Sequence, residues 1–211
     1  VNKDRSVTFT GERYPICGKR LPNFIPFVEE VLGIEFKTSP KIKEVSQKHV
    51  STSKTNKAFV DDLKKTFDPD RFTRDDSERV LHSHGQHSTD EVYKVLYNKL
   101  EKFADLVFYI ETQEETKQLI ALAKKHNVCL IPYGGGTNVT NALRPPKDES
   151  RMIVSVDTRR MNVIESLDEE DLLVTVQAGI TGKELESQLN KRGFTVGHEP
   201  DSYEFSTVGG W

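Results

Sequence analysis

Apolar residues change their spacing near residue 104, and the change separates two kinds of predicted element. Before it the periods are helical and short. Pro22 to Leu32 sets Phe24, Phe27, Val28, Val31 and Leu32 on one stripe, and Gly33 follows as a stop. Phe59, Leu63 and Phe67 predict a second short helix, closed by Asp68-Pro69. Residues 88–103 predict a third, with Val92, Val95, Leu96 and Leu100 on one face. Between the first two, Thr38 to Lys57 is rich in Lys, Ser and Thr and reads as a linker or surface loop. There is no internal repeat, and residues 1–100 are assigned to an N-terminal helical region.

From Ala104 strands and helices alternate. Leu106–Ile110 reads as a buried strand. Thr112-Gln113-Glu114-Glu115 has the form of a capping box, opening a helix through Leu119, Ile120 and Ala123 to Lys124-Lys125. Val128–Ile131 is the next strand, so a βαβ unit with a parallel pair is expected. Met152–Val156, Val163–Leu167 and Leu172–Gln177 predict three more strands, the last two joined as a hairpin by Asp168-Glu169-Glu170-Asp171. Ile180-Thr181-Gly182-Lys183-Glu184-Leu185 then supplies a capping box and a hydrophobic staple for a helix that stops at Gly193. The fold class is α+β, with residues 101–211 forming two subdomains and a glycine loop between them.

That loop carries the candidate chemistry. Pro132-Tyr133-Gly134-Gly135-Gly136-Thr137-Asn138 leaves the carboxyl end of a predicted strand, where ligands of α/β sheets bind. Three glycines let successive backbone N–H groups face one concavity without a Cβ in the way, a nest suited to a diphosphate. Thr137 and Asn138 add short polar donors at its rim. Two better-known phosphate motifs fail here. No lysine follows the glycines until Lys147, so this is not a P-loop, and Val139 stands where a dinucleotide fingerprint needs its third glycine. From these residues alone a plain flexible loop is an equal alternative.

Composition narrows the classes. The chain's 211 residues carry 30 Lys+Arg against 33 Asp+Glu, a net charge of -3, which argues against nucleic-acid binding. Hydrophobic residues are 35%, a low share that suggests a polar, partly extended chain or a piece of something larger. The apolar runs are too short to span a bilayer. Cys17 and Cys129 are too few for a disulfide scaffold, so a reducing compartment is the default. A start at Val1 and an end at Gly209-Gly210-Trp211 lead us to expect a continuation beyond Trp211. His82, His84 and His87 lack a paired Cys or carboxylate set at a known spacing, so no metal is assigned and a solvated helix–loop junction is expected. The Asn138-Val139-Thr140 sequon is read as coincidental.

The loop resembles the FAD pyrophosphate loop of vanillyl-alcohol-oxidase-type (PCMH-type) flavoproteins, and Val156-Asp157-Thr158 and Gln177-Ala178-Gly179-Ile180 resemble strand ends of that fold. Gly197-His198-Glu199-Pro200-Asp201-Ser202 with Glu204-Phe205-Ser206-Thr207-Val208-Gly209-Gly210-Trp211 resembles, more narrowly, the alkyldihydroxyacetonephosphate synthase family. Tyr133 and Asn138 depart from that pattern, where a smaller apolar residue and Ser are usual. The resemblance implies FAD as cofactor and an unusual exchange. The acyl chain of acyl-dihydroxyacetone phosphate is replaced by a fatty alcohol without net redox change, in ether-lipid (plasmalogen) synthesis. It implies FAD contacts from Pro132 through Asn138 and from Asp201, Ser202, Tyr203, Glu204, Phe205, Ser206 and Thr207, with His198 and Thr207 beside the flavin as catalytic residues. A peroxisomal homodimer with peripheral membrane association goes with it, and the fragment alone is expected to be inactive. Bottom-up, a lone loop histidine such as His198 is more often a surface or hydrogen-bonded residue, and Thr207 equally suits a turn cap. Two alternatives stay open: a FAD-dependent hydroxy-acid or alcohol oxidoreductase of the same superfamily, and a non-enzymatic module that kept the fold.

Overall fold

A computed structural model describes residues 1–10, 14–36, 50–85 and 88–211. The backbone divides into two compact units, Val1–Ser46 and Gln47–Trp211. In the first, β1 (Val7–Thr8) pairs antiparallel with β2 (Arg20–Leu21), ahead of α1 (Phe24–Leu32). The helix ends at Gly33, whose φ of 63° lets its N–H turn back onto the Glu29 carbonyl, as the sequence predicts. The expected apolar stripe is there but uncovered within the described residues. Only Ile25 of α1 is buried, while Phe27, Val31 and Leu32 are exposed.

The second unit starts earlier than the assigned boundary near residue 100, because the helices α2 (Lys57–Thr66) and α3 (Asp76–Leu81) pack with the sheet that follows. Residues 37–49, most of the expected linker, lie outside the described residues. Residues 50–56 are the expected surface loop, tied down at two points: Arg79 Nη2 donates to the Ser51 carbonyl at 2.8 Å, and Asn56 Nδ2 to the His126 carbonyl at 2.9 Å. Asn56 also caps α2 (Lys57–Thr66) by accepting from the Phe59 N–H. Phe59, Val60 and Leu63 bury the face that the spacing predicts.

β3 (Phe72–Thr73) and α3 (Asp76–Leu81) were not foreseen. The available signal was Asp75, whose carboxylate accepts from the N–H groups of Ser77 and Glu78. α4 (Thr89–Leu96) is half the length expected for 88–103, stopping at Tyr97. Its apolar face is not a core face. Val92 and Leu96 are exposed, and its buried residue is Glu91.

β4 (Leu106–Tyr109), α5 (Gln113–Lys125), β5 (Cys129–Tyr133) and β6 (Ile153–Asp157) follow. The sheet order is β3-β4-β6-β5, so the expected parallel pairing of β4 with β5 does not occur. β6 lies between them, parallel to both, rather than with the later strands. All five β6 residues are buried, and a central strand covered on both faces is where such a run is most stable. Even-numbered positions Leu106, Phe108, Val154 and Val156 join Phe59, Leu63 and Leu119 in one core beneath α2 and α5. The alternate residues face the other side.

β7 (Ile164–Asp168) and β8 (Leu173–Val176) form the expected hairpin, its acidic turn held by Glu170 and Asp171 N–H groups on Asp168 Oδ1. The capping box of α6 (Gly182–Asn190) is complete between Thr181 and Glu184. Ile180, Leu185 and Leu189 make a second core against the hairpin, so the two-subdomain α+β reading stands.

Candidate functional site

The carboxyl end of the sheet gathers polar side chains. Register sets Asp157 of β6 level with Tyr109 of β4 and Tyr133 of β5. Period-two alternation turns Asp157 away from the α2/α5 core, toward the residue that ends α3. That residue is His82, 1% exposed, with Nε2 2.9 Å from Asp157 Oδ2 and Nδ1 2.8 Å from the Glu78 carbonyl. Its ring lies 4.3 Å from that of Tyr133. Arg159 donates its N–H and Nε to Asp157 Oδ1 and lies over the Tyr133 ring. Burial pushes the Asp157 carboxyl up, but the bonds from His82 and Arg159 outweigh it and hold it below its ordinary value. Tyr109 goes the other way: burial and its bond to Glu78 push the phenol well above its usual range. His82 and His84 are therefore buried in the fold, not at a solvated junction, and His87 lies outside the described residues.

The glycine loop starts one residue beyond this cluster. Gly136 has a φ of 72°, a region that side-chain-bearing residues rarely adopt. A Cβ at Gly134 would fall inside 3.0 Å of Thr207 Oγ1, and one at Gly135 inside 3.0 Å of the Phe205 carbonyl. Gly134 and Gly135 thus seat the loop on residues 205–207, a need for glycine beyond the room for an anion expected from sequence. Asn138 also differs from a rim donor. Its Oδ1 accepts from Ala142 N–H at 3.1 Å, so the amide orientation is assigned, and its Nδ2 is buried without a hydrogen-bond partner. That burial leaves the sequon no room for a glycan. Among the described residues, the N–H groups of Gly136, Thr137 and Asn138 have no acceptor in the protein. Adjacent unpaired donors with no carboxylate among residues 132–138 fit a ligand that only accepts, such as a diphosphate.

Other predicted site residues divide into two groups. Ser206 and Thr207 are buried, and Thr207 bridges Thr181 across an antiparallel backbone contact. Thr207 makes no side-chain cap bond, which removes the turn-cap reading. Asp201, Ser202, Tyr203 and Glu204 are exposed on a turn in which the N–H groups of Phe205 and Ser206 return to the Ser202 carbonyl. Pro132 is also exposed. His198 is exposed, its ring 5.3 Å from Trp211 and edge-on to it. Trp211 Nε1 in turn donates to Ser206 Oγ at 3.0 Å, so His198 reaches the 205–207 segment through an aromatic neighbour. The His82–Asp157 pair escaped the sequence reading; a lone Asp at a strand end and a histidine 75 residues earlier carry no local signal.

A loop whose Gly136–Asn138 N–H groups have no acceptor among the described residues, at the carboxyl end of the parallel strands β4, β6 and β5, has the form of a nucleotide-binding module. Residues 104–211 match the family model described as FAD binding domain, and the chain belongs to that family; its cofactor is FAD. Alkyldihydroxyacetonephosphate synthase of Caenorhabditis elegans is 39% identical over 211 residues, which is 100% of this chain and 35% of the relative. The Dictyostelium discoideum synthase is 40% identical over 168 residues, 80% of this chain and 27% of the relative. A solved alkyldihydroxyacetonephosphate synthase structure superposes with a TM-score of 0.85 at 34% identity, covering 100% of this chain and 39% of that one. The chain spans about a third of the length of the curated relatives it matches.

Proposed function

We propose that this chain is the cofactor-binding part of an alkylglycerone-phosphate synthase. In that reaction the ester C–O bond of acyl-dihydroxyacetone phosphate is broken, an ether C–O bond to a fatty alcohol is formed, and the fatty acid leaves without net redox change. The observation that supports the reading is the seating of Gly134 and Gly135 on Phe205–Thr207, directly before the N–H groups of Gly136–Asn138 that have no acceptor among the described residues. When bound, FAD supplies the reactive isoalloxazine ring. The chain's residues do the rest. N–H groups of Gly136, Thr137 and Asn138 hold the diphosphate, and Thr207 offers a buried hydroxyl to the ring. His198 is assigned proton transfer on the resemblance alone, and the exposed 201–204 turn is assigned the nucleotide's outer wall on the same ground. Peroxisomal location, a homodimer, peripheral membrane contact and inactivity of residues 1–211 alone also rest on the resemblance.

The test is made on the full-length protein. Acyl-dihydroxyacetone phosphate and hexadecanol should yield alkyl-dihydroxyacetone phosphate and one equivalent of fatty acid. Hydroxy acids added without oxygen should leave the flavin absorbance unchanged; bleaching would favour the oxidoreductase instead. His198→Ala should keep its FAD and lose activity by roughly a hundredfold or more. Wild-type turnover in that variant would remove His198 from the mechanism.

A further inference from the structure

The turn after α3 lies outside the matched residues 104–211, yet it touches the cofactor loop. Ser83 Oγ donates to the Arg79 carbonyl and accepts from Ala104 N–H at 2.9 Å, and His82 is held by Glu78 and Asp157. Gly85 N–H donates to Oε2 of buried Glu91 at 3.1 Å. The turn is fixed along its length, and at its end Gly85 meets Asn138. A Cβ on Gly85 would fall inside 3.0 Å of Asn138 Nδ2, with the Gly136 carbonyl 3.3 Å away. Gly85 does not have a positive φ, so alanine suits its backbone and only the neighbour objects.

We propose that Gly85 is a positioning residue of the FAD site, acting through Asn138. The bare Cα of Gly85 admits the Asn138 carboxamide. With Oδ1 tied to Ala142 and Nδ2 closed in against the turn, that side chain is clamped at both ends. The clamp sets the direction of the Asn138 N–H and of its neighbours, the donors assigned to the diphosphate. This inference rests on the proposed FAD placement and extends it: a residue outside the recognised domain determines how tightly that domain holds its cofactor.

A double-mutant cycle on the full-length apo-protein tests it, reading the FAD dissociation constant by quenching of flavin fluorescence and the thermal midpoint on the same samples. Gly85→Ala should weaken FAD by about tenfold, the scale of coupling between residues in contact. In an Asn138→Ala background, where the clashing amide is gone, the same substitution should change the constant by less than about twofold. Equal weakening in both backgrounds, or none in either, overturns the proposal. Should Gly85→Ala fail to fold, folding of the double variant supports the contact with Asn138, and failure of both overturns it. Gly135→Val separates this from the underlying reading, because it unseats the loop from Phe205. Wild-type FAD affinity there overturns the loop placement itself. Loss of FAD in Gly135→Val with wild-type affinity in Gly85→Ala overturns the Gly85 inference alone.

Discussion

Asp157 concentrates more of the site's chemistry than any other single residue. Its carboxylate answers two cations or potential cations, His82 and Arg159, and sits beside the ring of the last residue before the glycine loop. Removing one partner of such a buried arrangement costs far more than a surface pair, because the other groups stay buried without it. Asp157→Asn should therefore destabilise the protein by about 3 kcal/mol, read as a fall in the urea midpoint at constant slope. The pH dependence has a definite sign. A carboxyl held below its ordinary 3.8 contributes stability above that value and loses it as pH falls through the lower folded-state value. Wild type should lose more stability than Asp157→Asn between pH 5 and about 2. Parallel losses would mean that the ion pair contributes nothing. His82 was legible only as one of three neighbouring histidines and Asp157 only as a strand end; their pairing was not, because 75 residues separate them in sequence.

At the scale of elements, the local signals that hold are those in which cap and period agree. The Thr181–Glu184 box is closed in both directions, with Glu184 Oε2 accepting from the Thr181 N–H at 3.1 Å. Thr181→Ala should cost about 1 kcal/mol, measured by thermal unfolding; no change would mean that packing of Ile180 and Leu185 alone sets the helix start. Thr112–Glu115 has the same sequence form but closes by half. Thr112 accepts from the Glu115 N–H, while Glu115 Oε2 accepts instead from the N–H of Glu111. The overlong reading of 88–103 fails for a related reason. Val92, Val95, Leu96 and Leu100 have helical spacing, but with Val92 and Leu96 exposed, no core holds the last turns.

At the scale of the whole molecule, the FAD binding domain match begins at residue 104, yet its core does not. Phe59, Val60, Leu63 and Phe67 are buried in the same cluster as Leu106, Phe108, Leu119 and Val154. Residues 104–211 expressed alone should therefore expose that face, bind a hydrophobic dye, and lack a cooperative thermal transition. A sharp two-state melt of that fragment would show the domain to be self-sufficient. The cofactor loop shares this dependence, since His82 and Gly85 both precede the match and both touch residues in it.

Sequence by itself determined the positions of the strands and most helices from Ala104 onward, the glycine loop after β5, and the flavoprotein family. Each depends on residues close together in the chain: a period, a cap, a run of glycines. Only the tertiary structure decided that β6 separates β4 from β5, because pairing is chosen by burial of the whole sheet and not by order along the chain. It also decided what each glycine avoids. Gly134 makes room for Thr207, Gly135 for the Phe205 carbonyl and Gly85 for Asn138, contacts between segments 53 to 73 residues apart that no local pattern records.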